Sequence, residues 1–537
     1  ARLGRWSLAA QEIDEAISHC AETTRVDCIG ARIERASIAL ARGDVAAAAA
    51  EQQTVLGLIE AQHASLVTSD FMKQGFADLW GPTYSLAIDL QLRQGDVRGA
   101  LETAERGRSR ALLDLLASRN AASPASAPIA TSAPATASLA PPASRQSLIV
   151  ARTARVDDLV ATAARLHSTL LIYWVSDSRI DIWTVAPDGE IHNAVSAVPR
   201  ARLSSLIRAA TTSRPAASGT AVAGLQTRGV QTLPIVVAPR PVWRELYDVL
   251  VQPVARDLPR IAGARLTIVP HGPLAGVPFA ALRDRSGRYL VERYATHVAP
   301  AGAFFDYSIP RASRPSSVLL VADPADVPRI AGEAPLARLP GADAEVQAIA
   351  QLWPAGAVTL LAGAAATETR VLADAPRQGV VHFATHAIVR DTNPAASFLA
   401  LGRAGDAPDA GELTPAKIEQ LSLDADLVVL SACRSAGGTP TGDGVAALAR
   451  AFISSGVPSV IATVWDVADA PTTRLLPAFY RAWLGGADKA SALRAAQLQL
   501  LADLRAGRVA VHTKLGRVVL PEDPMFWAGF VLIGEGE

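Results

Sequence analysis

Two side chains, Cys433 and His386, carry the most reactive pairing in this sequence. A cysteine attacks as its thiolate and needs a base or a positive neighbour to reach that state. Cys433 follows the apolar run Leu427 to Leu430 in "ADLVVLSACRSAGG" (425–438) and opens a small, Gly-rich loop. His386 follows a second short apolar run in "GVVHFATHA" (379–387). Both runs suit buried strands, and open α/β sheets bind ligands at the carboxyl ends of their strands. A lone cysteine in such a place is often a small buried hydrophobe. A histidine 47 residues earlier, also at a strand exit, argues for catalysis instead. The chemistry would be attack on an acyl carbon through a thioester, with the imidazole as general acid and base. His382, four residues before His386, reads as a structural histidine inside the sheet. His271, in the turn "PHGPLAG", reads as non-catalytic.

The elements that must position this pair lie in the second part of the chain. From about residue 147 the pattern is mixed α/β. "TLLIYWVS" (169–176) and "RIDIWTVA" (179–186) read as a hairpin split at Asp177-Ser178, followed by a turn at 187–189. A stretch rich in Ala, Thr, Gly and Pro near 211–240 reads as a surface excursion. A helix at 242–257, a strand at 265–270 and further alternation predict a mostly parallel sheet covered on both faces. Residues 1–119 read as helices, with Pro82 their only proline. Apolar spacing at Ile33, Ala36, Ser37 and Leu40, and at Leu86, Leu90, Ala100, Leu101 and Ala104, is helical. "IALARGDVAAAA" (38–49) and "LQLRQGDVRGAL" (90–101) each read as helix, Gly-Asp turn, helix. Gly43 and Gly95 suit helix C-termini, and Asp44 and Asp96 suit the next N-caps. Recurrence of this unit suggests a degenerate helical repeat array. Apart from Ile129 and Leu139, residues 121–144 are Ala, Pro, Ser and Thr, which marks a flexible linker.

With 51 basic and 51 acidic side chains, the chain lacks the positive surface of a dedicated nucleic-acid binder. Half of its 537 residues are hydrophobic, enough to build large cores. Three cysteines form no disulfide framework and no zinc site, so a reducing, cytoplasmic setting is expected, with no metal or other cofactor. Cys20 and Cys28 fall in the helical region and read as packing residues. No apolar run is long enough to span a membrane. A start at Ala-Arg-Leu-Gly reads as part of a longer protein.

Several ordered segments make the sequence recognisable. "HFATH" (382–386), "LSACRSAGG" (430–438), "GDGVAALARAFISSGVPSVIATVWDVAD" (442–469), "FYRAWLGG" (479–486) and "FWAGFVLIGEGE" (526–537) resemble the CHAT family, caspase-like domains associated with tetratricopeptide repeats. Upstream, "VPHGPLAGVPFAAL" (269–282), "GRYLVERYATHVAP" (287–300), "LLVADPA" (319–325) and "LPGADAEVQAIA" (339–350) fit the same family in the same order. Residues 84–117 are similar to the helical repeat that precedes such domains. Caspases place the histidine about 50 residues before a cysteine in Q-A-C-[RQG]-G, which Ser-Ala-Cys-Arg-Ser matches in part.

The resemblance implies an α/β caspase-like sheet covered by helices, made of an upstream scaffold pseudo-half at 147–310 and a catalytic half at 311–537. TPR-like repeats at 1–119 and a linker at 120–146 precede them. It implies a cysteine endopeptidase with Cys433 as nucleophile and His386 as general acid/base. The oxyanion donors would be the backbone N–H groups of Cys433 and Ala387. Ala387 stands where the family has glycine, and a side chain is tolerated there only at negative φ. "SVIATVWDVAD" (459–469) corresponds to a cleft-lining segment that pairs with an extended peptide. Trp465 would then either wall a pocket or pack in the core, and Asp443, with Asp466 or Asp469, would favour Arg or Lys before the scissile bond. Asp443 also suits the N-cap of a helix at 445–455. The repeats are expected to bind a regulatory or substrate protein. The resemblance further implies a bacterial defence or cell-death role, with a gasdermin-like protein one of several candidate targets; the sequence does not reveal self-cleavage, for which 121–144 and 211–240 are the accessible stretches. Two other readings are a non-catalytic repeat and α/β scaffold with a vestigial dyad, and acyl transfer to a small molecule.

Overall fold

A computed structural model of the chain describes residues 6–19, 25–65, 70–122, 151–211, 224–226, 232–234, 241–308, 310, 314–330, 335–390, 392–405, 407–432, 447–513 and 516–537. Contacts divide the chain into two compact units, Ala1–Asp158 and Leu159–Glu537.

The first unit is helical: α1 (Trp6–Ser18), α2 (Arg25–Ala41), α3 (Val45–Ser65), α4 (Asp70–Arg93), α5 (Val97–Arg106) and α6 (Arg110–Ala122). The α2–α3 and α4–α5 turns use the chemistry expected of Gly-Asp. Gly43 and Gly95 take φ of 81° and 79°, open to glycine at little steric cost. The Asp44 and Asp96 carboxylates then accept the N–H groups of Ala47 at 2.9 Å and Gly99 at 2.8 Å. Ala36 is buried as the helical spacing predicts. Ser37 is exposed instead, its hydroxyl satisfied by the Ile33 carbonyl at 2.9 Å. Cys28 is a buried thiol, while Cys20 lies outside the described residues. The boundary between units falls at 158, later than the composition change suggests. Residues 151–158 are held to the helices: Asp114 accepts Ala151 N–H at 2.9 Å, and Arg98 pairs with Asp157 at 2.6 Å.

The second unit is built on an eleven-stranded sheet. Its chain contributes β1 (Ser168–Val175), β2 (Ile180–Val185), β3 (Ile191–Ser196), a small hairpin β4 (Gly224–Gln226) and β5 (Thr232–Pro234), β6 (Ala264–Val269), β7 (Tyr294–Val298), β8 (Val318–Ala322) and β9 (Val358–Ala362). There follow β10 (Val380–Ala384), β11 (Ala387–Ile388), β12 (Phe398–Ala400), β13 (Glu412–Leu413), β14 (Leu427–Leu430), β15 (Ser459–Thr463), β16 (Ala510–Thr513), β17 (Gly516–Val519) and β18 (Phe530–Gly534). The main sheet has the order β3-β2-β1-β6-β7-β18-β15-β14-β10-β8-β9. The hairpin expected at Asp177-Ser178 is the antiparallel pair β1–β2, closed by Val175 opposite Ile180. Strands β1, β8, β10, β14 and β15 are buried at every residue, so both faces of the sheet are covered.

The upstream and downstream halves share this one sheet. The last strand, β18, lies between them, parallel to β7 and antiparallel to β15. Strands β1, β6, β7 and β18 therefore run one way, and β15, β14, β10, β8 and β9 run the other. The carboxyl ends of the two sets lie at opposite edges. A second small sheet, β11-β12-β13, continues from the exit of β10.

Candidate active site

Strands β8, β10 and β14 are parallel neighbours, and their carboxyl ends define the candidate site. Val380 to Phe383 pair in register with Leu427 to Leu430, and Val380 to Ala384 with Val318 to Ala322. Beyond the last paired residues the backbone stays bonded, with Ser431 N–H donating to Phe383 O at 2.8 Å. The Thr463 hydroxyl, at the end of β15, caps Ala432 O at 2.5 Å. Ser431 and Ala432 are fully buried. Cys433 and Asp443 lie outside the described residues.

His386 is 3% exposed and fixed from two directions. Its carbonyl accepts Ala400 N–H at 2.9 Å, and the preceding Thr385 hydroxyl donates to Ala400 O at 2.5 Å. These bonds clamp the strand exit to β12. On the ring, Nε2 lies 2.7 Å from the Ala337 carbonyl oxygen. A carbonyl only accepts, so Nε2 carries the proton and Nδ1 is the basic nitrogen of the neutral ring. Ala387 pairs with Leu399 in the β11–β12 ladder. Its φ is negative, the condition under which alanine replaces glycine without strain.

A connection to Asp323, absent from the sequence reading, supports Ala337. Asp323 follows β8 and is 4% exposed; its carboxylate accepts Leu339 N–H at 2.8 Å and Arg338 Nε at 2.6 Å. The only signal in the sequence is an acid closing the apolar strand "LLVADPA", next to the histidine strand.

His382 has the structural place expected of it. It is fully buried, with Nε2 2.9 Å from Glu345 Oε1 and Nδ1 3.2 Å from the Tyr480 hydroxyl. Those partners come from helices Pro340–Ala350 and Asp469–Leu484, so the ring ties the sheet to two covering helices. Burial pushes the Tyr480 hydroxyl well above its ordinary pKa, which keeps it a neutral donor. His271 stands after β6, whose carboxyl end is at the edge opposite to that of β10. Its ring stacks on Trp174 at 3.9 Å, and Nδ1 accepts Val175 N–H at 3.0 Å.

The residues offered for substrate binding separate. Trp465 is a core residue here: it is 3% exposed, donates Nε1–H to Met525 O at 3.2 Å, and lies 6.1 Å from the Trp243 ring. Asp469 is 8% exposed and accepts Gly341 N–H at 2.8 Å, which spends its carboxylate on joining two helices. Asp466 is half-buried at the exit of β15. Among the described residues, no cluster of His, Cys, Asp and Glu is placed to hold a metal ion. No described helix is long and apolar enough to cross a membrane.

Residues 29% identical to tetratricopeptide repeat protein 28 of Mus musculus, and 28% identical to that of Homo sapiens, extend over 341 positions. Each alignment covers 55% of this chain and 13% of the relative, so the chain spans a small part of those proteins. Among solved structures, separase in the Saccharomyces cerevisiae separase–securin complex gives a TM-score of 0.49 at 10% identity, covering 91% of this chain and 37% of that one. The Arg-specific cysteine proteinase gingipain R gives 0.34 at 10% identity, covering 56% and 69%. Scores at this level assign no role to any residue. The CHAT domain family matches residues 240–535, which include all of β6 to β18, and the chain belongs to that family.

Proposed function

We propose that the chain is a cysteine endopeptidase in which His386 and Cys433 form the catalytic dyad. One observation carries this reading. Phe383 and Leu430 are the last paired residues of adjacent parallel strands, and His386 and Cys433 each follow three residues later. Two residues that leave neighbouring parallel strands at equal distances from the last pair emerge at the same end of the sheet, where a thiol and an imidazole can meet. The carbonyl-bound Nε2 of His386 supports it further, because the basic nitrogen of the neutral ring is then Nδ1, the atom a thiol would protonate.

In the proposed cycle, Nδ1 takes the Sγ–H proton and the thiolate attacks the peptide carbonyl carbon. Backbone N–H groups of Ala387 and Cys433 hold the resulting oxyanion. The C–N bond breaks as the imidazolium returns its proton to the leaving amine, leaving a thioester. Water then attacks the thioester, with His386 taking its proton and returning it to sulfur. Asp466 and Asp443 are the acids we assign to recognition of Arg or Lys before the scissile bond. The burial of His386 supports a regulated enzyme, in which a protein partner bound by the helical unit exposes the ring. The thiol requires a reducing compartment.

The test uses the full chain. Quenched peptides with Arg, Lys or uncharged residues before the cleavable bond are assayed alongside iodoacetamide labelling of Cys433. Cleavage lost in both Cys433→Ala and His386→Ala supports the dyad. Cleavage that survives Cys433→Ala refutes it. Ordinary thiol reactivity at Cys433, unchanged by His386→Ala and accompanied by no cleavage, favours the non-catalytic scaffold.

A further inference from the structure

We infer that Asp323 is a positioning residue for His386, acting through the backbone of residues 337–339. The inference rests on the reading of His386 as the base for Cys433 and adds a group that sets its geometry.

A closed circuit of bonds links Asp323 to His386. Asp323 N–H donates to Ala384 O at 3.1 Å, two residues before His386. His386 Nε2–H donates to Ala337 O at 2.7 Å. Two residues after Ala337, Leu339 N–H returns to Asp323 Oδ1 at 2.8 Å. Asp323 Oδ2 takes both Nε and Nη2 of Arg338 at 2.6 Å, a forked charge-assisted contact. One aspartate therefore anchors the start and the end of the path that orients the ring.

Two features show that this position is held by its surroundings. Asp323 is 4% exposed, where a carboxylate needs strong partners to remain. Its φ is +38°, a left-handed conformation disfavoured by a residue with a Cβ. Such backbone persists where the surrounding structure over-determines it. Here the twist turns the chain out of β8 so that the carboxylate faces residues 338 and 339.

The arrangement differs from a carboxylate bonded directly to an imidazole. One peptide carbonyl stands between Asp323 and the ring, so Asp323 fixes direction and tautomer without touching the reacting atoms. Removing its carboxylate frees Ala337 O to drift, and with it the Nδ1 lone pair. Misplacing a catalytic group by about 1 Å costs on the order of 10²-fold in rate.

The test is the pH dependence of Cys433 alkylation by iodoacetamide, read at Cys433 by mass spectrometry on the full chain. Wild type, His386→Ala, Asp323→Ala, Asp323→Asn and Arg338→Ala are compared. In wild type we expect an inflection below the ordinary thiol value of about 8.5, abolished by His386→Ala. Asp323→Ala is expected to lower the alkylation rate at pH 6 by about tenfold or more, with partial recovery in Asp323→Asn, which keeps an acceptor for Leu339 N–H. The exposed Arg338→Ala leaves the fold intact and is expected to give a smaller loss in the same direction. Thermal unfolding identifies any variant that has not folded, and Arg338→Ala then carries the result. A depressed, His386-dependent inflection that folded Asp323 and Arg338 variants leave unchanged overturns the positioning role alone. An inflection at the ordinary thiol value in wild type, unmoved by His386→Ala, overturns the dyad reading itself.

Discussion

Two buried titrating groups near the end of β18 should oppose each other in the stability of the second unit. Glu535 is fully buried, and burial raises its carboxyl from an ordinary 4.5 to about 7, although Arg165 at 3.6 Å and Lys489 pull it down. His297 is 2% exposed, bonded to Thr267 at 2.8 Å and Gly534 O at 2.9 Å, and burial lowers its pKa from 6.5 to about 4. The folded state binds more protons at Glu535 than the unfolded state between pH 4.5 and 7, so its contribution falls as pH rises through that window. At His297 the unfolded state binds more protons between pH 4 and 6.5, so its contribution is lost as pH falls. Each effect amounts to about 3 kcal/mol at 1.36 kcal/mol per pH unit. They nearly cancel between pH 4.5 and 6.5. The assay is urea unfolding of the full chain at half-unit steps from pH 4 to 8, comparing wild type with Glu535→Gln and His297→Gln. The stability of Glu535→Gln relative to wild type should climb by about 3 kcal/mol from pH 4.5 to 7, and that of His297→Gln should fall by a similar amount from pH 4 to 6.5. Relative stabilities that do not change with pH would refute the reasoning.

Gly529→Ala should destabilise the second unit by about 1–3 kcal/mol in chemical unfolding, as overpacking does, because its Cβ would stand 2.7 Å from Trp465 Nε1 and 3.0 Å from Val467. Asp96→Ala should cost about 1 kcal/mol through loss of the α5 N-cap, read as lower helical melting of the first unit, with thiol reactivity at Cys433 unchanged.

Local chemistry was legible in the sequence. Gly43-Asp44 and Gly95-Asp96 announce a helix end and a helix start within four residues, and the structure uses both as read. The buried strands β10 and β14 were legible because a parallel strand covered on both faces is a continuous apolar run. Sheet order was not. The placement of β18 between the two halves depends on pairing Phe530 to Gly534 with residues more than 60 positions earlier in β15 and more than 230 earlier in β7. The family resemblance offers Trp465 and Asp469 to a cleft, with core packing the other place open to Trp465. Their work is set by Gly529, Met525 and Gly341, which local spacing does not reveal. Asp323 was not legible because its partners, the Leu339 N–H, the Ala384 carbonyl and the Arg338 side chain, lie 15 or more positions away in the sequence, with no motif linking them.

The spacing of 47 residues between His386 and Cys433 means less than it suggests, and the register means more. An insertion between His386 and β14 lengthens the spacing and the register offset together, leaving the relation of the two residues intact. What must be kept is the count of three residues from Phe383 to His386 and from Leu430 to Cys433. One glycine inserted after the exposed Gly405 therefore adds a residue to the spacing but leaves both counts alone. One glycine inserted between Ala432 and Cys433 preserves the bonds at Ser431 and Ala432 but moves the thiol one position further from the end of β14. The first variant should retain the pH profile of Cys433 alkylation and any peptidase activity. The second should lose both at unchanged thermal stability. If the two insertions behave alike, the strand register does not bring thiol and imidazole together, and the dyad must be argued on other grounds.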